Sequence, residues 1–254
     1  MKILKICNLN INYGKKESLV KAVKDVSLEI NKGEIYGLVG ESGCGKSTLA
    51  RSIVRLLDIN SGDIYFNNKL INNLKNSELK AYRKDTQMIF QDPYGSLNPR
   101  MQVGEAFLDI MKVHNIFNNK HDRLKRAIDL FNLIGLPSDF LYRYPHEFSG
   151  GQRQRICIAR ALILEPKMIV ADEPVSALDV SVQSEILTLI LNLRDKYELT
   201  FMFISHDLAV VKNICDQVAV MNDGSIVERG IAKNVICSPK HEYTKKLVNA
   251  VPKF

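Results

Sequence analysis

An eight-residue stretch near the start of the chain constrains its fold more than any other feature. Residues 40–47 read Gly-Glu-Ser-Gly-Cys-Gly-Lys-Ser, so four residues separate two glycines, and a lysine and a serine follow. The apolar segment 35–39 precedes this loop, and helical spacing follows over 47–57. A strand, a glycine-rich loop and a helix in this order form the Walker A arrangement, which binds nucleotide phosphates. The chain is therefore predicted to fold as an α/β protein around such a loop.

The residue types in this loop suit phosphate chemistry. Glycines let backbone N–H groups turn toward phosphate oxygens without a steric clash, and the following helix presents its positive end to the same oxygens. We expect Lys46 to contact the outer phosphates of ATP and the Ser47 hydroxyl to bind Mg²⁺. The candidate ATP-binding residues are Gly40, Glu41, Ser42, Gly43, Cys44, Gly45, Lys46, Ser47 and Thr48.

An apolar strand that ends in two acids is the second candidate element. Residues 168–173 read Met-Ile-Val-Ala-Asp-Glu. Taken alone, the two acids could simply be solvated groups that cap a strand. Beside a Walker A loop, they predict a Walker B strand, in which Asp172 holds Mg²⁺ and Glu173 polarises the attacking water. A positioned general base typically contributes about 10²- to 10⁴-fold in rate.

The third element, residues 148–152, reads Phe-Ser-Gly-Gly-Gln and precedes an apolar helix. Ser149 and two glycines at a helix start offer a second anion-binding surface, although Ser149 could also be a plain N-cap. With this motif the chain resembles the ABC ATPase family, whose signature is usually Leu-Ser-Gly-Gly-Gln; Phe148 departs from it at the first position. The resemblance implies that the signature of one subunit covers the ATP held by another. The residues that would act in trans are Ser149, Gly150, Gly151 and Gln152.

Four further residues match family motifs. Gln91 resembles the Q-loop glutamine, which implies that it senses Mg²⁺ and the attacking water. Asp179 lies in a segment similar to the D-loop, which acts across the dimer, and His206 resembles the switch histidine that contacts the γ-phosphate. Tyr13 resembles the early aromatic residue that stacks on adenine, although Tyr36 or simple packing could also explain an aromatic residue there.

Two segments resemble the ATPases of peptide and nickel importers in particular. They are residues 91–100 and the tail segment 238–247, in which Glu242 replaces the proline of the common His-Pro-Tyr-Thr motif. The resemblance implies ATP and Mg²⁺ as cofactors and a second ABC ATPase subunit, identical or related, as a partner. It also implies two transmembrane permease subunits, docked near the Q-loop and the helical insertion, and an indirect link to an extracytoplasmic substrate-binding protein.

The periodicity of apolar residues predicts the architecture around these motifs. Strands that alternate with helices indicate a mainly parallel core sheet, preceded by a β subdomain and interrupted by an α-helical insertion. Helices are predicted at 103–113, 123–134, 152–164 and 182–197, and strands at 27–30, 64–66, 168–171, 201–204 and 218–221. We expect one ABC ATPase domain, with the nucleotide-binding core at 1–92 and 162–240, the helical subdomain at 93–161 and a tail at 241–254.

Composition narrows the location and the chemistry only slightly. No apolar run is long enough to cross a bilayer and the first residues lack a secretory apolar region, so we expect the protein to stay in the cytoplasm. The resemblance to importer ATPases implies a peripheral position on the cytoplasmic face of the membrane. Five scattered cysteines without a CxxC pair favour plain thiols over disulfides or zinc. The net charge of +7 leaves a soluble ABC ATPase acting on nucleic acid as one alternative, and an exporter ATPase is another. Because the basic residues are dispersed, no nucleic acid partner is expected.

Overall fold

Two β-sheets enclose a shared core in this computed structural model, which describes residues 1–13 and 20–250. The smaller sheet is antiparallel, with strand order β2-β1-β4-β5. Its strands are β1 (Lys2–Tyr13), β2 (Val20–Asn31), β4 (Ser61–Phe66) and β5 (Lys69–Leu70). The tight turn between the last two contains Asn67 and Asn68, both with positive φ, as a two-residue hairpin turn requires.

The larger sheet holds six strands in the order β10-β9-β3-β8-β7-β6. Its members are β3 (Ile35–Val39), β6 (Thr86–Ile89), β7 (Met168–Asp172), β8 (Thr200–Ser205), β9 (Gln217–Asn222) and β10 (Ser225–Ile231). All neighbouring pairs are parallel except the one between β9 and β10. Every residue of β3, β7 and β8 is buried, because central parallel strands are covered on both faces. The carboxyl ends of the parallel strands therefore meet at one edge.

Helices cover both faces of this sheet and build the region between β6 and β7. They are α1 (Lys46–Ile53), α2 (Asn76–Asp85), α3 (Val103–Val113), α4 (Lys120–Leu133), α5 (Gly150–Leu162), α6 (Val180–Tyr197), α7 (Leu208–Ile214), α8 (Ala232–Cys237) and α9 (Glu242–Ala250). The rings of Phe107 and Phe131, both fully buried, meet edge to face at 5.5 Å and join α3 to α4. Such a pair adds stability beyond the area that it buries.

The predicted fold class is confirmed: a mainly parallel core sheet accompanies a β subdomain and an α-helical insertion. The first third differs in detail, because β1 and β2 are 12-residue strands rather than short segments. Register shifts interrupt their pairing, and Asn8 and Asp25 have positive φ, which breaks the alternation that a long strand would show in sequence. The sequence did not predict α2, β6, α7, β10, α8 or α9.

The predicted domain boundaries stay predictions. The boundary at 161 falls one residue before the end of α5, and residues 251–254 of the predicted tail lie outside the described residues. Among the helices that are described, none combines the length and apolarity needed to cross a membrane. Within 1–13 and 20–250, no three His, Cys, Asp or Glu residues cluster in a way that could hold a metal ion.

Candidate active site

The loop between β3 and α1 has the backbone that its glycines predict. Gly40 and Gly45 have φ angles of 154° and 109°, which L-residues rarely adopt. A Cβ atom on Gly40 would lie 2.2 Å from the carbonyl oxygen of Met221, and one on Gly45 would lie 2.2 Å from that of Ala22. The loop is therefore pressed against β9 on one side and β2 on the other, and only glycine fits at both positions.

The Lys46 side chain folds back over this loop. Its ammonium group donates hydrogen bonds to the carbonyl oxygens of Gly40, at 2.7 Å, and Glu41, at 2.8 Å. Its third contact is the Cys44 sulfur at 3.8 Å, a weak acceptor. Lys46 is only 5% exposed, so the ammonium is fixed inside the loop with one N–H poorly satisfied. A phosphate oxygen would be a far better partner for that N–H.

The first residues of α1 meet the end of β7 through one hydrogen bond. The Ser47 hydroxyl donates to Oδ1 of Asp172 at 3.2 Å. Burial raises the pKa of Asp172 above its usual value; the bond from Ser47 opposes this shift, and the neighbouring Glu173 charge reinforces it. Hydroxyl and carboxylate oxygens are the ligands that Mg²⁺ prefers, and a buried carboxylate gains from a cation beside it. The residues present therefore fit a magnesium ion.

Two predicted residues, each beyond the end of a different strand, converge on one carboxylate oxygen of a third predicted residue at the end of β7. Oε2 of Glu173 accepts a hydrogen bond of 3.0 Å from the Gln91 amide and lies 3.4 Å from Nδ1 of His206. Glu173 has a φ of 47°, and its N–H donates to the carbonyl of Ile204 at 3.0 Å, which turns the chain sharply at the end of β7. Gln91 is thus bonded to the proposed base rather than to Ser47 or Asp172, and its role as a metal ligand stays a prediction.

The start of α5 is built as a capping box. The N–H of Gln152 donates to the Ser149 hydroxyl at 3.3 Å, and the Ser149 N–H donates back to the Gln152 side chain at 3.0 Å. Ser149 is therefore an N-cap, and this is compatible with an additional role toward anions. A Cβ atom on Gly151 would lie 2.5 Å from the Val182 side chain, so α5 packs closely against the start of α6. Asp179 occupies the N-cap position of α6 without a capping bond from its side chain.

The structure separates the two aromatic candidates for adenine stacking. Tyr36 is 4% exposed and belongs to the core between the sheets, so neither face of its ring is free. Tyr13 is 39% exposed, and its hydroxyl lies 3.3 Å from the Thr48 hydroxyl on α1. Tyr13 thus stands beside the phosphate loop, where an adenine ring could stack on it.

Two hydrogen bonds from distant segments hold the phosphate loop, and the sequence did not predict either of them. The Gly224 N–H donates to the Cys44 carbonyl at 3.0 Å, and the Glu41 N–H donates to the Tyr243 hydroxyl at 3.1 Å. Tyr243 lies in the tail segment that resembles importer ATPases, but nothing in that pattern indicates a contact with the loop.

Comparisons with known proteins agree with this geometry. A family profile described as "ABC transporter" matches residues 23–176, more than half of the chain. The oligopeptide transport ATP-binding protein OppF of Streptococcus mutans is 49% identical over 252 residues, which span 99% of this chain and 82% of that protein. The dipeptide transport ATP-binding protein DppF of Lactococcus lactis is 48% identical and covers 99% of this chain and 81% of its own length.

A further relative and two solved structures extend the comparison. The glutathione import ATP-binding protein GsiA of Pectobacterium atrosepticum is 48% identical over 98% of this chain but only 41% of its own length. The ADP conformation of MJ1267, an ATP-binding cassette of an ABC transporter, has a TM-score of 0.82 at 31% identity and covers 99% of this chain and 100% of its own. The dimeric cassette MJ0796, in a post-hydrolysis state bound to ADP and Pi, has a TM-score of 0.81 at 29% identity over 91% of this chain and 99% of its own.

Proposed function

This chain belongs to the ABC transporter family, as its motifs predicted, and from that premise we propose that it is the ATP-hydrolysing subunit of a peptide importer. The observation that carries the proposal is the convergence of Gln91 and His206 on Glu173, next to the Ser47–Asp172 pair. A general base, a metal pocket and a phosphate loop then lie at one edge of one sheet.

The division of roles follows from the contacts. Lys46 and the backbone of the phosphate loop hold the phosphates, and Tyr13 stacks on the adenine. Glu173 accepts the proton of the attacking water, while Gln91 and His206, which already touch its carboxylate, respond to the γ-phosphate. Both contacts require the ends of β6, β7 and β8 to stay aligned. A shift of the Q-loop or of β8 would therefore break a contact with the Glu173 carboxylate.

Ser47 and Asp172 are the residues that hold Mg²⁺ in this proposal. When bound there, the ion neutralises charge on the β- and γ-phosphates during transfer. The raised pKa of Asp172 supports the assignment, because burial disfavours its charged form and a bound cation would favour that form.

The second anion-binding surface works from a partner subunit. The Ser149 hydroxyl and the N–H groups at the start of α5 face a phosphate held by another copy or by a related ATPase, and Asp179 lies beside the same interface. A relative of the same fold forms a dimer with bound ADP and Pi, which supports pairing in this family. ATP binding then draws two subunits together, and hydrolysis releases them.

A groove of about 370 Å³ at the side of the sheet is the place we assign to a permease subunit. It lies between the core and the helical insertion, and apolar side chains of Leu56, Phe90 and Ile110 line it with His114 at the same surface. Leu56 is 48% exposed and adjoins the other apolar side chains of the groove, and a contiguous apolar patch of this kind is typical of a surface that a partner covers. Phe90 lines the groove and immediately precedes Gln91, which bonds to Glu173. A docked segment that displaces Phe90 would therefore also displace Gln91.

The names of the relatives support peptides as the cargo. Two are named for oligopeptide or dipeptide transport and one for glutathione import, and glutathione is itself a small peptide. The relatives described above do not name nickel, so nickel transport stays a prediction from two sequence segments. The peripheral position on the cytoplasmic face follows from docking on permease subunits.

Uptake measurements in a deletion strain test the cargo. We expect deletion of the gene to abolish uptake of labelled di- and oligopeptides and leave uptake of Ni²⁺ unchanged. Complementation with the wild-type chain should restore peptide uptake, and Glu173→Gln should not. Normal peptide uptake with lost Ni²⁺ uptake would contradict the peptide assignment, while efflux that falls on deletion would indicate an exporter.

A further inference from the structure

Tyr243 makes a contact that the roles assigned above do not use. It lies near the start of α9, 202 residues from the loop it touches, and its hydroxyl accepts a 3.1 Å hydrogen bond from the Glu41 N–H. Its ring packs on the hydrophobic core while the hydroxyl reaches the phosphate loop. This inference rests on the assignment of residues 40–47 as the ATP phosphate loop.

The peptide unit that Tyr243 binds is the one that positions Lys46. The N–H of Glu41 and the C=O of Gly40 belong to the same planar peptide, and in the trans form they point in opposite directions. On one side the N–H meets the Tyr243 hydroxyl, and on the other the carbonyl accepts a 2.7 Å bond from the Lys46 ammonium. A rotation of this plane would therefore break both bonds at once.

The other contacts of the loop act on different groups. The Gly40 φ of 154° and its close approach to the Met221 carbonyl fix one end of the plane, but they leave rotation toward Glu41 to be restrained by hydrogen bonds. The Gly224 N–H holds the loop farther along, at Cys44. Hydrogen bonds in a chain also polarise one another, so an acceptor for the Glu41 N–H on the Tyr243 side strengthens the carbonyl of the same peptide that Lys46 uses.

The start of α9 is itself held in place. Glu228 on β10 accepts hydrogen bonds of 2.9 Å from the N–H groups of both Lys240 and His241. Burial opposes ionisation of this carboxyl group, but the bonds it accepts outweigh burial and hold its pKa below the usual range. The turn that precedes β10 also contacts the phosphate loop, through the bond from the Gly224 N–H to the Cys44 carbonyl. The β9–β10 hairpin therefore positions both the start of α9 and the phosphate loop.

We propose that Tyr243 is a positioning residue for ATP: through the Gly40–Glu41 peptide it holds the Lys46 ammonium where the outer phosphates bind. Two ammonium hydrogens stay on Gly40 and Glu41, and the third is left for the phosphate in place of the Cys44 sulfur. Arranging the cation in advance lowers the ordering cost of binding.

The test is the equilibrium affinity of the purified full chain for Mg²⁺–ATP, with Tyr243→Phe as the variant. Phenylalanine keeps the ring in the core and removes only the acceptor. We expect the Kd to rise about 3- to 10-fold, the range for loss of one hydrogen bond, while Tm changes little. Tyr197→Phe, which removes a hydroxyl from an exposed tyrosine outside the site, is the matched control and should leave the Kd unchanged.

A double-mutant cycle with Lys46→Met separates positioning from general support of the loop. If Tyr243 acts through Lys46, adding Tyr243→Phe to Lys46→Met should weaken ATP binding by less than twofold. An equal factor in both backgrounds, or an unchanged Kd in Tyr243→Phe alone, would overturn the proposal. Failure of the wild-type chain to bind ATP would instead contradict the proposed function, so the two failures are distinguishable.

Discussion

The Gln91 amide donates a 3.0 Å hydrogen bond to the Glu173 carboxylate and so ties the loop after β6 to the end of β7. The same carboxylate oxygen lies 3.4 Å from Nδ1 of His206. An oxygen held by two neighbours is less free to take a proton from water. Under the proposed function, in which Glu173 is the hydrolytic base, these two contacts would couple ATP turnover to movement of the loop after β6 and of the end of β8.

Glu173→Gln should separate ATP binding from hydrolysis. The amide keeps the shape of the side chain but cannot accept the proton, so phosphate release should fall by about 10²- to 10⁴-fold while the Kd for Mg²⁺–ATP stays within twofold. A colorimetric phosphate assay and equilibrium binding measure the two quantities. Near-normal turnover would show that another group is the base.

The same Glu173→Gln protein reports on pairing. With hydrolysis blocked, ATP should hold two subunits together, so light scattering should give twice the monomer mass with ATP and the monomer mass with ADP. A strict monomer in both nucleotides would mean that the partner is a related ATPase rather than a second copy.

Asp172→Asn should stabilise the metal-free protein and abolish its response to Mg²⁺. Burial raises the pKa of Asp172, so the charged form is disfavoured in the folded state and a neutral amide removes that penalty. We expect Tm without metal to rise by about 2 to 4 °C, the shift that about 1 kcal/mol causes in a chain of this size. Calorimetry with and without Mg²⁺–ATP measures both effects.

The rise in Tm expected for Asp172→Asn should depend on pH, and the direction of this dependence follows from the raised pKa of Asp172. Because the pKa of Asp172 is higher in the folded than in the unfolded chain, the folded wild type loses stability as pH rises through it. The Tm difference between Asp172→Asn and wild type should be largest near neutral pH and shrink as pH falls toward the ordinary aspartate pKa of about 4. A gap that widens at low pH would contradict the burial of a charged carboxylate.

Substitutions of Ser149 can separate its capping role from a role in trans. Asp and Asn cap helices as well as Ser does, but only Asp places a negative charge against the partner's phosphate. Ser149→Asn and Ser149→Asp should both keep Tm within about 2 °C, whereas Ser149→Ala should lose about 1 kcal/mol of stability. Only Ser149→Asp should combine normal stability with at least a tenfold loss of ATPase activity.

Leu56→Asp should weaken binding to the permease subunits without changing the affinity for ATP. Leu56 is 48% exposed, so a charge is tolerated by the isolated fold but not by an apolar contact in the groove. Co-purification with the permease subunits should fall by at least tenfold, with the Kd for ATP unchanged. Ile231→Asp, at an exposed position outside the groove, is the control. Equal recovery of both variants would place the docking surface elsewhere.

The sequence by itself determined the features that a short segment encodes. Gly40 and Gly45 specify positive φ angles, Ser149 and Gln152 form a capping box three residues apart, and the buried run of β7 identifies a central parallel strand. Each follows from local sterics or from hydrogen bonds between near neighbours, so no knowledge of the rest of the fold is needed.

Only the tertiary structure decided which distant residues touch. In the larger sheet β3 lies between β8 and β9, so that both faces of β3 are covered and Tyr36 is buried in the core. The Tyr243 hydroxyl meets the Glu41 N–H although 202 residues separate them in sequence. The meeting of Gln91 and His206 on one oxygen of Glu173 likewise depends on the register of three parallel strands. Such contacts arise from packing of whole layers, which no single segment encodes.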